Sequence, residues 1–312
     1  MKSVVKVIAC GGTIESTIDL DGTKRVTGGI ENVVGDAQVV RFRCVPSFAL
    51  TATDLLALAK LVADIASEST PIVTCGTDTL EDVAFVLDCV APQRGVVITG
   101  AAISVDDDGL ENLVTARIAA VDRGYPSGVG CVAFAGVIRA GRAVEESAPP
   151  PDIFEGSSQA PIGIRSGQEI SWIGHVKPIR MSLPTGAAPT VQIVTAHVAG
   201  TVAHSDILSS DVLVIGGVGA GNMHPELWAI ARRRIMDGGT TVLCSAHHSI
   251  AVSQVSREPG GGAALLELGA WSAGVLSPRK AVLASLLAGQ GDERKGRFDR
   301  IVENASTVEM SA

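Results

Sequence analysis

The sequence predicts an α/β protein: a larger N-terminal domain on a doubly wound, parallel-type sheet, followed by a smaller C-terminal α/β domain. Three observations carry this. Short apolar runs recur, each followed by a glycine-containing turn and a helical pattern: VVKVIACGG, PIVTCGT, GVVITGA and GVGCVAFAG. Hydrophobic residues make up 46% of the chain but aromatics only 3%, so the core is Val, Ile, Leu and Ala, which suits strands covered on both faces. At 312 residues the chain is long enough for one large domain or two ordinary ones.

The first apolar run ends in IACGGTIEST. Consecutive glycines let a ligand or neighbouring backbone approach closely, and Thr13 follows them at the sheet edge. TDLLALAKLVADIAS reads as an amphipathic helix capped by Thr51 or Thr53. PIVTCGT is the next strand, and TLEDVAFVLDCV the next helix, with Thr79 as its cap and Asp82 completing a capping box. Each such helix begins at the C-terminal edge of a strand, where open α/β sheets bind ligands. The Pro-, Gly- and Ser-rich stretch from Ala148 to Gly167 reads as loop. A second break, SLPTGAAPT, precedes new α/β signals in VQIVTAH, DVLVIGG and TTVLCSA. The expected domains are therefore 1–185 and 190–312, with the polar tail GDERKGRFDRIVENASTVEMSA partly frayed.

Charge and composition exclude several partners. Thirty-three acidic residues against twenty-five basic ones give a net charge of −8, and no dense Lys/Arg run could follow a phosphate backbone, so no nucleic-acid partner is expected. The N-terminal apolar run is too short for a signal peptide, and no stretch approaches the roughly 20 apolar residues of a membrane span. The expectation is a cytoplasmic protein without a membrane partner. Six cysteines lack C-x-x-C spacing and read as buried free thiols.

Other motifs carry less. GGVGAGNMHPELWAIARRR lacks the G-x-G-x-x-G spacing of a dinucleotide loop, and no acid ends the next strand. Cys244, His247 and His248 lack further ligands at metal-site spacing. VDDDG, from Val105 to Gly109, reads as a solvated turn rather than a cation site. No cofactor and no metal is expected.

CGTDTLED remains. Thr77 and Asp78 lie in a turn after an apolar strand, where the carboxylate can accept a ligand's ammonium or assist proton transfer, and helix-start N–H groups can hold an anion. The plainer alternative is that Asp78 satisfies the turn's own amides.

With CGGTIE at Cys10 to Glu15 and CGTDTLED at Cys75 to Asp82, the chain resembles the bacterial-type L-asparaginase/glutaminase amidohydrolase family over nearly its full length. TGAAISVDDDGLENLVTA, GVGAGNM and GVLSPRKAVL extend the likeness. The resemblance implies a large and a small α/β domain, a homodimer or homotetramer with active sites at the subunit interface, and hydrolysis of a carboxamide by a threonine nucleophile. It assigns Thr13 as nucleophile, Thr77 and Asp78 as the second catalytic pair, and Gly12, Ser47, Gly76 and Asn222 to substrate binding, Asn222 reaching across the interface.

The sequence departs from that pattern in places that matter. Where the family carries a lysine that activates the second threonine, GRAVEESAP places Glu146. If Glu146 approaches Asp78, the two carboxylates titrate as a coupled pair. The lid STIDLDGTKRVTGG lacks the family's tyrosine, because the only tyrosine is Tyr125; Thr23 falls near its place, followed by Lys24 and Arg25, which read as a solvated charge pair. CVPSFAL keeps Ser47 but puts Phe48 where a polar side chain is expected, and glycine falls where the partner subunit's acid would. An unpaired buried ammonium costs several kcal/mol, so the leading expectation is an amidohydrolase acting on a carboxamide or cyclic amide other than free L-asparagine, with Phe48 against its apolar part and Glu146 as a substituted proton-transfer residue. The alternatives are an ordinary L-asparaginase and a non-catalytic protein binding a small carboxylate.

Overall fold

A computed structural model describes residues 5–19, 21–66, 69–156, 160–198, 209–247, 250–252, 256–305 and 308–310. The chain divides into two units, Met1–Leu183 with Thr307–Ala312, and Pro184–Ser306.

In the first unit, strands β1 (Lys6–Gly11), β2 (Ser16–Ile18), β3 (Lys24–Val26), β4 (Gln38–Val45), β5 (Ile72–Thr74), β6 (Val96–Thr99), β7 (Gly130–Phe134), β8 (Val137–Ala140), β9 (Gly163–Ser166), β10 (Glu169–Trp172) and β11 (Gly174–Val176) alternate with helices α1 (Ala52–Ile65), α2 (Leu80–Cys89) and α3 (Leu110–Val121). The main sheet has the order β10-β9-β8-β7-β6-β5-β1-β4. From β4 to β7 every pairing is parallel. These strands are short apolar runs, and β1, β5, β6 and β7 are almost entirely buried, as expected for a sheet covered on both faces. After β1 the chain adds β4 on one side, then crosses to add β5 on the other. The strand order thus reverses between β1 and β5, a topological switch point.

Three features differ from the sequence reading. The glycine-rich stretch before Gly167 is not loop to its end, since Gly163–Ser166 forms β9. Strands β8, β9 and β10 extend the sheet in antiparallel fashion, and Phe154 from the preceding loop stacks edge-on against Phe134 at 5.3 Å. VDDDG forms a π-helical turn in which Asp108 accepts the amides of Ala102, Ile103 and Ser104, so its carboxylate serves its own loop. Finally, the tail carries a helix over Arg294–Ala305 and a strand over Val308–Met310.

The second unit carries a parallel sheet of β12 (Val191–Thr195), β13 (Val212–Gly217), β14 (Thr240–Ser245) and β15 (Trp271–Ser272), with helices α4 (Pro225–Met236), α5 (Gly262–Glu267), α6 (Pro278–Ala288) and α7 (Arg294–Ala305). Helix α7 falls within the tail, and its Phe298, Ile301 and Ala305 are buried, the spacing of one helical face. Beyond it, β16 (Val308–Met310) pairs antiparallel with β11, which returns the end of the chain to the first unit instead of leaving all of 190–312 in the second. In the glycine-rich loop after β13, a methyl on Gly217 would lie 2.4 Å from Gly221. The turn closes on its own backbone, an ordinary reason for glycines there.

Candidate active site

Thr13 and Thr77 follow the two strands that flank the switch point. β1 and β5 pair in register, Ala9 opposite Thr74, so the turns after them emerge at the same level of the sheet edge. Each becomes a single 3-10 turn, Thr13–Glu15 and Thr77–Thr79. A third, Ser47–Ala49, follows β4.

Glycine allows the three turns to touch. A methyl on Gly12 would sit 2.3 Å from both Cα and N of Gly76, and one on Gly76 would sit 2.6 Å from Ser47 Oγ. Gly12 also has φ of 85°, a left-handed conformation that strains other residues. Its amide donates to the Val45 carbonyl (3.1 Å), which ties the first turn to the end of β4.

Around this junction the polar groups are specifically placed. Ser47 is 1% exposed, and its hydroxyl donates to Asp78 Oδ2 (3.2 Å). Thr13 and Thr77 are half-buried and Asp78 is exposed. Thr79 does not cap α2 with its side chain; its hydroxyl donates to the Ser47 carbonyl (3.1 Å) instead. The expected capping box therefore gives way to a link between the second and third turns. Phe48, next to Ser47, leaves 73% of its surface exposed.

Glu15 was visible in the first motif, but its role was not. Its buried carboxylate accepts the Gly11 amide (3.0 Å) and pairs with Arg41 (2.7 Å), which also holds Glu31. Donating hydrogen bonds to Glu15 and then Glu31 raises the Arg41 guanidinium above its ordinary value. Glu15 thus rivets the Thr13 turn to β4, a partnership that only the folded register brings about.

The segment in place of the family's lysine is anchored beneath the site. Arg142 and Asp88 form a fully buried ion pair (2.6 Å), and Asp88 also accepts the amides of Gly130 and Arg142. Past this anchor the Glu146 amide donates to Glu81 Oε2 (2.9 Å), in the first turn of α2. Glu145 is buried, whereas Glu146 is exposed. The Glu146 backbone is thus held on Glu81, and Ser47 donates to Asp78.

Cysteines precede both glycine turns, but burial argues against them as nucleophiles. Desolvation raises the Cys10 thiol well above its ordinary value and pushes Cys75 up to about 12, leaving both protonated near neutrality. Cys44 is exposed, unlike the other five; it lies on β4, the edge strand of the main sheet.

The lid begins as the β2–β3 hairpin. Arg25 pairs with Asp19 (2.5 Å), and Lys24 donates to the Ile103 carbonyl (3.0 Å), so Arg25 forms the surface charge pair and Lys24 fastens the hairpin to the loop after β6. Tyr125 lies elsewhere, its hydroxyl donating to the Val96 carbonyl (2.7 Å). In the second unit, Asn222 Oδ1 accepts the Gly262 amide (3.3 Å) at the start of α5. No group of three or more His, Cys, Asp or Glu among the described residues could hold a metal; His248 lies outside them.

Fold and turns together place the chain among two-unit α/β proteins that present hydroxyls and a carboxylate at the switch point of a parallel sheet. It belongs to the asparaginase family, hydrolases acting on amide C–N bonds. The family model described as asparaginase, N-terminal, matches residues 4–177. A probable L-asparaginase of Deinococcus radiodurans is 31% identical over 313 residues, covering 93% of this chain and 95% of the relative. The fold matches the crystal structure of a probable cytoplasmic L-asparaginase from Campylobacter jejuni with a TM-score of 0.81 and 20% identity, over 96% of this chain and 100% of that one.

Proposed function

We propose that this amidohydrolase uses Thr13 as nucleophile on a carboxamide or cyclic amide other than free L-asparagine. The observation that carries the reading is the glycine-packed junction, which presents the Thr13 and Thr77 turns side by side with Asp78 and Ser47. Thr13 Oγ attacks the amide carbon as its proton passes to a base. The C–N bond then breaks, the nitrogen leaves protonated as ammonia (or stays attached when the amide is cyclic), and water hydrolyses the acyl-enzyme to the carboxylate. Thr77 and Asp78 form the second catalytic pair. Glu146, carried beside the first turn of α2 by the Glu81 contact, acts in proton transfer where the family has lysine.

The substrate assignment rests on Phe48. Its exposed ring beside Ser47 offers apolar surface where a polar contact to an amino acid substrate would be needed, so an acylated, cyclic or deaminated substrate fits better than one with a free α-ammonium. The name of the Deinococcus relative favours a second reading, ordinary hydrolysis of L-asparagine. A homodimer or homotetramer completes the site in this proposal, with Asn222 supplied by a second copy. The description of the Campylobacter structure supports a cytoplasmic location, and no helix among the described residues is long and apolar enough to cross a membrane.

Ammonia release separates these readings. Purified protein, its Thr13→Ala variant and its Glu146→Gln variant are assayed with asparagine, glutamine, their N-acylated and deaminated analogues, and cyclic imides, ring opening being followed by mass spectrometry. Turnover confined to substrates without a free α-ammonium, and lost in Thr13→Ala, is the expected result. Strong release from asparagine would return the protein to ordinary asparaginase activity. Tight binding of a carboxylate without turnover of any compound would make it a binding protein.

A further inference from the structure

At the opposite end of the main sheet, where the strands begin, lies a cavity of about 800 Å³. It sits between the C-terminal ends of α1 and α3 and the turn after α2, with Val5, Ala66 and Val121 among its apolar lining. Two arginines reach it, Arg94 and Arg123, beside one carboxylate, Asp122, whose Oδ1 accepts the Gly124 amide and the Trp172 indole N–H.

These arginines differ from most of those in the first unit. There Arg25, Arg41, Arg43, Arg117, Arg139, Arg142 and Arg165 each hold a carboxylate. Arg94 and Arg123, like Arg180, hold none among the described residues, although the chain carries a net charge of −8. Helix C-termini attract cations, but neither the Arg94 nor the Arg123 guanidinium bonds a helix carbonyl among the described residues. Arg297 is the contrast: it donates to the carbonyls of Leu287 and Ala288 at the end of α6.

A second observation points to a ligand. Ser69 lines the same cavity, is 7% exposed, and its buried hydroxyl has no hydrogen-bond partner among the described residues. An unpaired buried hydroxyl costs roughly 1–3 kcal/mol, a cost that a ligand oxygen would remove.

We propose that this cavity is a second small-molecule site and that it takes an aliphatic dicarboxylate. Each guanidinium supplies a planar fork matched to a carboxylate, the apolar lining receives the carbon chain between the two, and the Ser69 hydroxyl donates to a carboxylate oxygen. Inorganic phosphate would satisfy the charges but leave that lining uncovered. The proposal stands apart from the substrate assigned to the catalytic turns.

The test is calorimetric titration of the full-length protein with succinate, beside inorganic phosphate at the same ionic strength. Because succinate is also the product of a deaminated asparagine at the catalytic turns, the binding read here is that retained in a Thr13→Ala/Ser47→Ala variant; there succinate should bind at least about tenfold more tightly than phosphate. The Arg94→Gln/Arg123→Gln double variant should weaken it by about tenfold or more. Both arginines are exposed and unpaired, so that variant should melt like the wild type and keep its basal turnover, while Ser69→Ala weakens succinate by a smaller factor. No succinate binding, binding unchanged in the double variant, or phosphate binding as tightly as succinate would each overturn the proposal.

Discussion

A methyl group at Gly12 would fall 2.3 Å from the backbone of Gly76, and φ of 85° adds strain to the clash. Neither backbone can yield without moving the Thr13 or the Thr77 turn. Gly12→Ala is therefore expected to destabilise the fold by about 2–4 kcal/mol and to abolish turnover. Gly22 is the control: its φ of 82° is similar, but nothing lies within 4 Å of an added methyl, so Gly22→Ala should cost only about 1 kcal/mol of backbone strain. Denaturant melts of both variants check this, and equal losses would remove the close approach as the cause. The thiols give a second prediction at this scale. Burial holds Cys10 and Cys75 protonated while Cys44 is exposed, so native labelling at pH 8 should modify Cys44 and spare both motif cysteines, as peptide mapping would reveal. The turns that hold Thr13, Thr77 and Asp78 were legible in sequence because each follows an apolar strand, whereas Ser47 was singled out only by the family resemblance. The role of Glu15 was not legible, since its partner Arg41 comes from another strand, and Thr79 misled because its hydroxyl chose the Ser47 carbonyl over its own helix.

Helix α1 illustrates which elements a sequence reveals. Thr51 and Asp54 form a complete capping box, Thr51 Oγ1 accepting the Asp54 amide (3.2 Å) and Asp54 Oδ2 accepting the Thr51 amide (3.0 Å). Both partners are local, so four residues of sequence suffice to predict the box, although they left Thr53 as a rival cap. Hydrogen bonds from the Thr51 side chain, then Arg43, hold the Asp54 carboxyl below its ordinary 3.8. A depressed carboxylate stabilises the fold above its unfolded pKa, and that contribution disappears as pH falls through the lowered folded value. Thr51→Ala should accordingly lower stability by about 1 kcal/mol at pH 7, and by less at a pH where Asp54 is protonated. Melts at the two pH values test this, with a pH-independent loss counting against the linkage. The antiparallel extension β8–β10 was harder to read, because its partners are set by sheet register and its flanks are rich in glycine and proline. The same holds for β16, three residues whose pairing strand, Gly174–Val176, belongs to the first unit.

At the scale of the whole molecule, the alternating strand and helix pattern made two α/β units legible, but the return of the last strand to the first unit was not. The proposed assembly makes the strongest prediction here. Thr13 belongs to the first unit and Asn222 to the second; if a second copy supplies Asn222, each active site needs one residue from each of two chains. Thr13→Ala and Asn222→Ala would then both be inactive alone yet complement each other when mixed. In a hybrid dimer one site carries both substitutions and the other carries neither. Random reassociation of equal amounts makes half the dimers hybrid, so roughly one quarter of wild-type activity should return. The measurement is turnover after co-refolding or subunit exchange, with sedimentation confirming that dimers form. The amount recovered depends on the geometry: if Asn222 acted on the Thr13 of its own chain, every site in a hybrid would carry one of the two substitutions. Dimers without recovered activity would therefore remove the shared site while leaving the assembly intact.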